Sequence, residues 1–491
     1  MRNTIQPIAI ILIVVCIAGC SRKEKSSGVK LSLTSSSENP IAKLTLYKNL
    51  DEITLAETTL DSIGNGVLEF NLTEPTIAYI QIGDKYGELY LAPGYNLTVT
   101  ANNDEPKKSI TYTGIGSEVN NYNSQLNLIV EAIKMKGGSY IGQLSIESFS
   151  SRFDSLKTEV VEFHSNYIDS VSLSADIIPL LEKKYKVKLL AIQQEFIFLQ
   201  RDNALNEKIE AYRSGKDILG FELPLVLKRE KGEMIWDSTL LDLGIFEYAY
   251  LLQNIIMSEI HIPNYDYKNI EDKNPHLPSK ITKELRKGEY SGPIKEFLFA
   301  QNINYWLTSY GITPTTDSIL SDFKSSFKNS QYLPALQKNY SGWLAVSPGN
   351  MAPEFSGKTT DGEMLSLSDL KGKVVYVDVW ATWCGPCVKE IPHSKILQAE
   401  FNGNNKVEFL YVSADSDIDA WKKMLAEDKD WKGTHIILPE EQIGKLYSAY
   451  KMFGIPAYIL IDREGKIISA NATRPSEGKI GQQIKDVLNK I

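Results

Sequence analysis

Cysteine and histidine are scarce in this chain: four cysteines and five histidines in 491 residues. Only Cys384 and Cys387 lie beyond residue 20, so no network of structural disulfides staples the fold. No second cysteine pair completes a zinc site around the first. His164, His261, His276, His393 and His435 are scattered without metal-ligand spacing, so neither metal nor cofactor is expected, and His393 reads as a surface residue. Basic charge is in deficit as well, with Lys+Arg 53 against Asp+Glu 61 and a net charge of −8. That argues against nucleic acid and anionic membrane surfaces as partners. The apolar run Ile8 to Ile17 is too short for a comfortable membrane span.

What is present begins at that run. Arg2, the apolar core and then Ala18-Gly19 have the order of a secretory signal peptide, 1–19. The ending Ile17-Ala18-Gly19-Cys20 resembles a bacterial lipobox. The resemblance implies that Cys20 is acylated and becomes the mature N-terminus; an ordinary signal peptide cleaved near Cys20 is the rival. Residues 20–28 read as a polar tether. Each buried acyl methylene contributes about 0.8 kcal/mol to anchoring. With Cys16 removed and Cys20 acylated, Cys384 and Cys387 are the only free thiols of the mature protein.

At 491 residues, 43% of them apolar and 23% charged, the chain reads as multidomain and globular. Residues 29–116 alternate polar and apolar positions in Ala42–Tyr47, Val67–Leu72, Ala78–Ile82 and Leu97–Thr100, with turns at Gly64-Asn65-Gly66 and Pro93-Gly94. They predict a small antiparallel β-sandwich. Residues 117–342 read as mainly α-helical. Phe149, Phe153, Leu156, Val160, Phe163 and Tyr167 form one helical stripe, and Leu181–Gln200 and Leu240–Ile260 read as further helices. Tyr248, Tyr250 and Ile255-Ile256-Met257 read as core, Glu182–Lys188 as a solvated face and Asn264–Pro278 as a loop. A linker, 343–353, leads into an α/β domain, 354–491.

The chemistry sits in that last domain. Val374–Trp380 reads as a buried strand, and the chain continues Ala381-Thr382-Trp383-Cys384-Gly385-Pro386-Cys387 into a helix. Two thiols at this spacing can close a disulfide, and a helix N-terminus stabilises the thiolate of Cys384, the attacking species in thiol–disulfide exchange. Cys387 lies one turn on and can resolve the mixed disulfide. Trp383-Cys384-Gly385-Pro386-Cys387, Asp378 on the preceding strand, Pro392 in the helix and Gly454-Ile455-Pro456 before Ala457–Asp462 together resemble the thioredoxin superfamily, in its TlpA/ResA-like branch. Leu89–Gly94 adds a likeness to the β-domain that precedes it in Bacteroidetes-type lipoproteins.

The resemblance implies a C-terminal thioredoxin fold with an entry hairpin over Phe355–Leu370. It implies that Asp378 accepts the Cys387 proton, and that a cis bond before Pro456 leaves the Ile455 backbone free for a substrate strand. Trp383 shields the thiols or contacts substrate, Trp380 is core and Pro386 tunes the thiol environment. Glu390 stands where the branch often carries Glu, as a second proton group or a solvated residue. The expected activity is an envelope protein-disulfide reductase or isomerase, lipid-anchored and facing the periplasm. Its expected partners are exported disulfide-bearing proteins and an upstream electron donor, a membrane thiol carrier. The alternatives are a thiol peroxidase and a binding or scaffolding lipoprotein. Ala381 and Val377 stand where a peroxidase wants Thr and Pro, which counts against the first.

Lipidation is the most accessible of these expectations. Cys20→Ser is expected to lose the acyl mass in mass spectrometry and to leave the membrane fraction or stay unprocessed. Unchanged membrane retention would make the apolar segment the anchor.

Overall fold

A computed structural model describes residues 27–36, 40–101, 110–134, 140–213, 236–255, 277–288, 290 and 292–489. The expected signal peptide, Cys20 and the expected tether up to residue 26 lie outside the described residues. The chain divides into two compact units, Met1–Asn302 with Ser321–Ala335, and Ile303–Leu320 with Leu336–Ile491.

The first unit opens with β1 (Ser27–Ser35), β2 (Ile41–Lys48), β3 (Asp51–Thr59), β4 (Asn65–Leu72), β5 (Thr76–Ile82), β6 (Lys85–Leu91), β7 (Asn96–Ala101) and β8 (Ile110–Ile115). They form two sheets, β4-β1-β7-β8 and β3-β2-β5-β6. Alternate residues of both sheets, among them Val29, Leu31 and Leu33 of β1 and Ala42 and Leu44 of β2, share one core, as in a sandwich. Two expectations need correcting. β1 and β7 run parallel, because the chain crosses between sheets instead of meandering. β1 also takes in Ser27 and Gly28 from the expected tether, since pairing with β4 satisfies their backbone groups whatever their side chains.

Helix Ile146–Ser170 buries Phe149, Phe153, Leu156 and Val160 along one stripe. The Ser145 hydroxyl caps its first turn by accepting the Ser148 N–H at 3.2 Å. Phe149 stacks on Phe196 of helix Ile177–Arg213 with ring centroids 3.7 Å apart. The expected solvated face Glu182–Lys188 is a third correction. Lys184 and Lys188 fall on the same helical side as buried Leu181 and Tyr185. Lys184 is buried against Glu88 of β6, and Lys188 donates to Glu247 at 2.6 Å. Both carboxylates come from distant sequence, which a local charge pattern cannot reveal. Tyr248 is buried in helix Phe246–Ile255, but Tyr250 is 44% exposed, not core. Ile256–Ile260 and most of the expected loop lie outside the described residues. Leu277 and Pro278 instead open helix Leu277–Lys287, where proline is tolerated in the first turn.

Helix Leu333–Ala345, which belongs to the second unit from Leu336 on, runs through Trp343–Ala345, where a linker was expected. Trp343 packs against the core below one face of the sheet, so burial extends the helix. That sheet comprises β9 (Ser356–Thr359), β10 (Met364–Ser366), β11 (Val374–Trp380), β12 (Val407–Ser413), β13 (Thr434–Ile437), β14 (Ala457–Ile461) and β15 (Ile467–Ser469). Its order is β10-β9-β13-β12-β11-β14-β15. β11 is buried throughout, because the sheet is covered on both faces. Val375, Val377 and Val379 enter one core; Val374, Tyr376 and Trp380 enter the other, together with Cys384 and Cys387.

The buried Lys184–Glu88 pair yields a stability test. Lys184→Met leaves the Glu88 carboxylate buried without its cation, at an expected cost of about 3–5 kcal/mol. Adding Glu88→Leu should recover most of it. Denaturant midpoints of the unfolding transition that carries the first unit measure both variants.

Candidate active site

β11 ends at Trp380, and four residues later Cys384 caps helix Gly385–Glu400. The Cys384 Sγ accepts the Cys387 N–H at 3.2 Å, so the first-turn amides point at this sulfur. Pro386 lies in the first turn, where its missing N–H costs nothing, and it is exposed. Cys384 and Cys387 are joined by a disulfide with Cα atoms 5.3 Å apart. In this oxidised state both are buried, at 5% and 3%. Trp383, beside them, is 68% exposed.

Residues at period two along β11 share a face, which puts Asp378 between Tyr376 and Trp380 on the cysteine side. Its register neighbours are Tyr411 on β12 and Tyr458 on β14. Asp378 is 4% exposed and its Oδ1 has no hydrogen-bond partner. Burial pushes its carboxyl up to about 8; the Glu390 charge adds to this and the Ser394 hydroxyl opposes it. Glu390 is not a solvated residue. It lies on the buried stripe Cys387, Glu390, Ile391, Ser394, Leu397 of the helix. Its carboxylate accepts the Ser476 N–H at 3.0 Å and the Ser476 hydroxyl at 2.7 Å. Pro392 lies inside the same helix, and His393 is exposed on it.

The Ile455–Pro456 peptide is cis. β14 begins one residue later, and Ala457 pairs with Val379, so Pro456 stands at the end of the sheet where the cysteine loop leaves β11. Ile455 packs against the core that contains both cysteines. The structure thus brings together Cys384, Cys387, Asp378, Glu390, Ile455 and Pro456.

Sequence reasoning missed Asp415. This 3%-exposed carboxylate accepts the Thr382 N–H at 3.0 Å and the Thr382 hydroxyl at 2.6 Å, and takes the Ser413 hydroxyl at 2.7 Å. It ties the loop before Cys384 to the end of β12. Ser476, Tyr411 and Tyr458 were missed too. Tyr411 and Tyr458 lay in recognised strands, but their register against Asp378 leaves no sequence signal.

Comparison with known proteins places relatives on this region. The Redoxin family profile matches residues 347–488. Thiol-disulfide oxidoreductase ResA of Bacillus thuringiensis subsp. konkukian is 30% identical over 143 residues, 29% of this chain and 78% of the relative. ResA of Bacillus subtilis is 30% identical over 153 residues, 31% of this chain and 80% of its own. Among solved structures, the thioredoxin domain of a thiol-disulfide oxidoreductase from Bacteroides vulgatus is 30% identical. It covers 28% of this chain and 98% of that one, with a TM-score of 0.26.

The buried carboxyl makes stability depend on pH. Its folded value is about 8, against about 3.9 for an aspartate in an unfolded chain. Between those values the folded chain keeps a proton that the unfolded chain has released. Stability therefore falls as pH rises from about 4 to about 8, by at most ~1.4 kcal/mol per unit. Asp378→Asn should remove this slope and gain on wild type as pH rises. Denaturant midpoints followed by tryptophan fluorescence across that range measure it; parallel curves would place the carboxyl in solvent.

Proposed function

The chain belongs to the family of thiol-disulfide oxidoreductase ResA, and from that premise we propose that it reduces or isomerises disulfides of exported proteins at the bacterial cell envelope. In this reading residues 354–491 are the catalytic domain, and lipid on Cys20 holds it to a membrane with that domain facing the periplasm. The observation that carries the reading is the Cys384–Cys387 pair at a helix N-terminus with the buried Asp378 carboxyl on the same face of the sheet.

The steps balance as follows. In the reduced protein the Cys384 thiolate, stabilised by the first-turn amides, attacks one sulfur of a substrate disulfide and expels the other as thiolate. Ile455, before cis-Pro456, offers its backbone to an extended substrate strand, and exposed Trp383 contacts it. Cys387 gives its proton to Asp378 and attacks the Cys384 sulfur. The second substrate thiolate leaves, the Cys384–Cys387 disulfide forms, and two electrons have passed to the substrate. A carboxyl near pH 8 is well matched to a thiol with an ordinary value of about 8.5. A dithiol donor, read as a membrane thiol carrier, then reduces the pair again. The Gly385-Pro386 dipeptide, shared with reducing thioredoxins, supports the reductive direction.

The peroxidase alternative gains nothing from the geometry, since Ala381 is fully buried and offers no hydroxyl beside Cys384. Cys387→Ser should accumulate exported proteins disulfide-linked to Cys384, identified by diagonal gels and mass spectrometry; an empty trap would favour scaffolding. Asp378→Asn should leave formation of the mixed disulfide nearly unchanged and slow its resolution ~10²-fold, the low end for general-base assistance. Rapid-quench trapping separates the two steps.

A further inference from the structure

Glu390 is a buried carboxylate without a cation. It is 8% exposed, and among the described residues no lysine or arginine pairs with it. The two hydrogen bonds that compensate its burial both come from Ser476, one to each carboxylate oxygen. Ser476 is exposed in the 3-10 turn Pro475–Glu477, whose Pro475 is buried, beyond β15 and 86 residues from Glu390. Donors of this kind fix the direction of the carboxylate.

Glu390 also faces inward. It stands one turn past Cys387 on the buried stripe of the helix, close enough for its charge to act on Asp378. The other titratable groups around Asp378 are Tyr376 on its own strand, Tyr411 on β12 and Tyr458 on β14. Burial raises all three phenols from their usual value, so they stay neutral in the working range. Arg474 acts on Tyr458 in the opposite sense to Asp378 and Glu390. Burial is the main cause of the raised Asp378 value, and Glu390 is the charge that adds to it.

We infer that Ser476 is a positioning residue of the redox site: by holding the Glu390 carboxylate in place near Asp378, it sets the pH at which Asp378 takes the proton of Cys387. The inference rests on the proposed resolution step. Its sign follows directly. Releasing Glu390 lets its charge swing away, the Asp378 anion loses a repulsive neighbour, and the midpoint moves to lower pH.

The experiment is the pH profile of mixed-disulfide resolution in the full-length protein, with a glutathione mixed disulfide on Cys384 as probe. Glu390→Gln should move the midpoint acid-ward by about one unit, the scale of one nearby charge in a partly screened site. Ser476→Ala should move it the same way by a smaller amount, and Ser476→Thr, which keeps the hydroxyl, should restore it. Added to Glu390→Gln, Ser476→Ala should move it no further, because Ser476 acts only through that carboxylate. An unshifted Ser476→Ala profile, or an equal further shift in the Glu390→Gln background, overturns the inference. The proposed function fails separately: if Cys387→Ser traps no client, the envelope oxidoreductase reading falls whatever Ser476 does.

Discussion

The desolvation of one carboxyl organises the catalytic end of this protein. β11 is covered on both faces, so any polar group it carries is taken out of water. Asp378 is the residue of β11 that carries a carboxyl, and burial holds its proton up to about pH 8 instead of the usual carboxylate range. A group that costs stability at neutral pH is placed two residues before Trp380 on the face that also receives Cys384 and Cys387. In the proposed mechanism the strand gives up stability where resolution needs a proton acceptor of thiol-like affinity.

Around that strand the site is assembled from three directions. Helix Gly385–Glu400 supplies both sulfurs and, one turn further, Glu390. β14 supplies Tyr458 opposite Asp378 and, just before it, Pro456 and Ile455. β12 supplies Tyr411, and the residues after it supply Asp415, whose carboxylate grips Thr382. The loop that presents Cys384 is therefore fixed at both ends, by strand pairing before it and by the helix after it, with Asp415 between. Such fixing lets a helix N-terminus act on one sulfur without reorganisation during attack.

Buried charge recurs in the first unit with a different logic. Lys184 and Glu88 are paired, and so are Lys188 and Glu247, so each carboxylate there has a cation. Among the described residues no lysine or arginine pairs with Asp378 or Glu390, and Glu390 takes the two Ser476 donors. The paired charges of the first unit join helix Ile177–Arg213 to β6 and to helix Phe246–Ile255. Asp378, without a cation, keeps its proton to higher pH.

Much of the second unit was legible in the amino-acid order. The strand β11 follows from its apolar run, and the thioredoxin resemblance implied the entry hairpin over Phe355–Leu370 and the strand after Pro456. Trp383 to Cys387, Asp378 and Pro456 are recognisable because they sit at fixed offsets from those strands. In the β-sandwich, period-two alternation predicted the fold but not the parallel β1–β7 pair, since register between distant strands leaves no local trace. The same reason hid Tyr411 and Tyr458 beside Asp378, and Lys184 inside what looked like a solvated face. The sequence by itself determined the sulfur chemistry: two cysteines, their spacing and the helix they open. Only the tertiary structure decided the proton chemistry, because burial, the partner at Ser476 and the charge of Glu390 exist only once residues far apart in the chain are packed together.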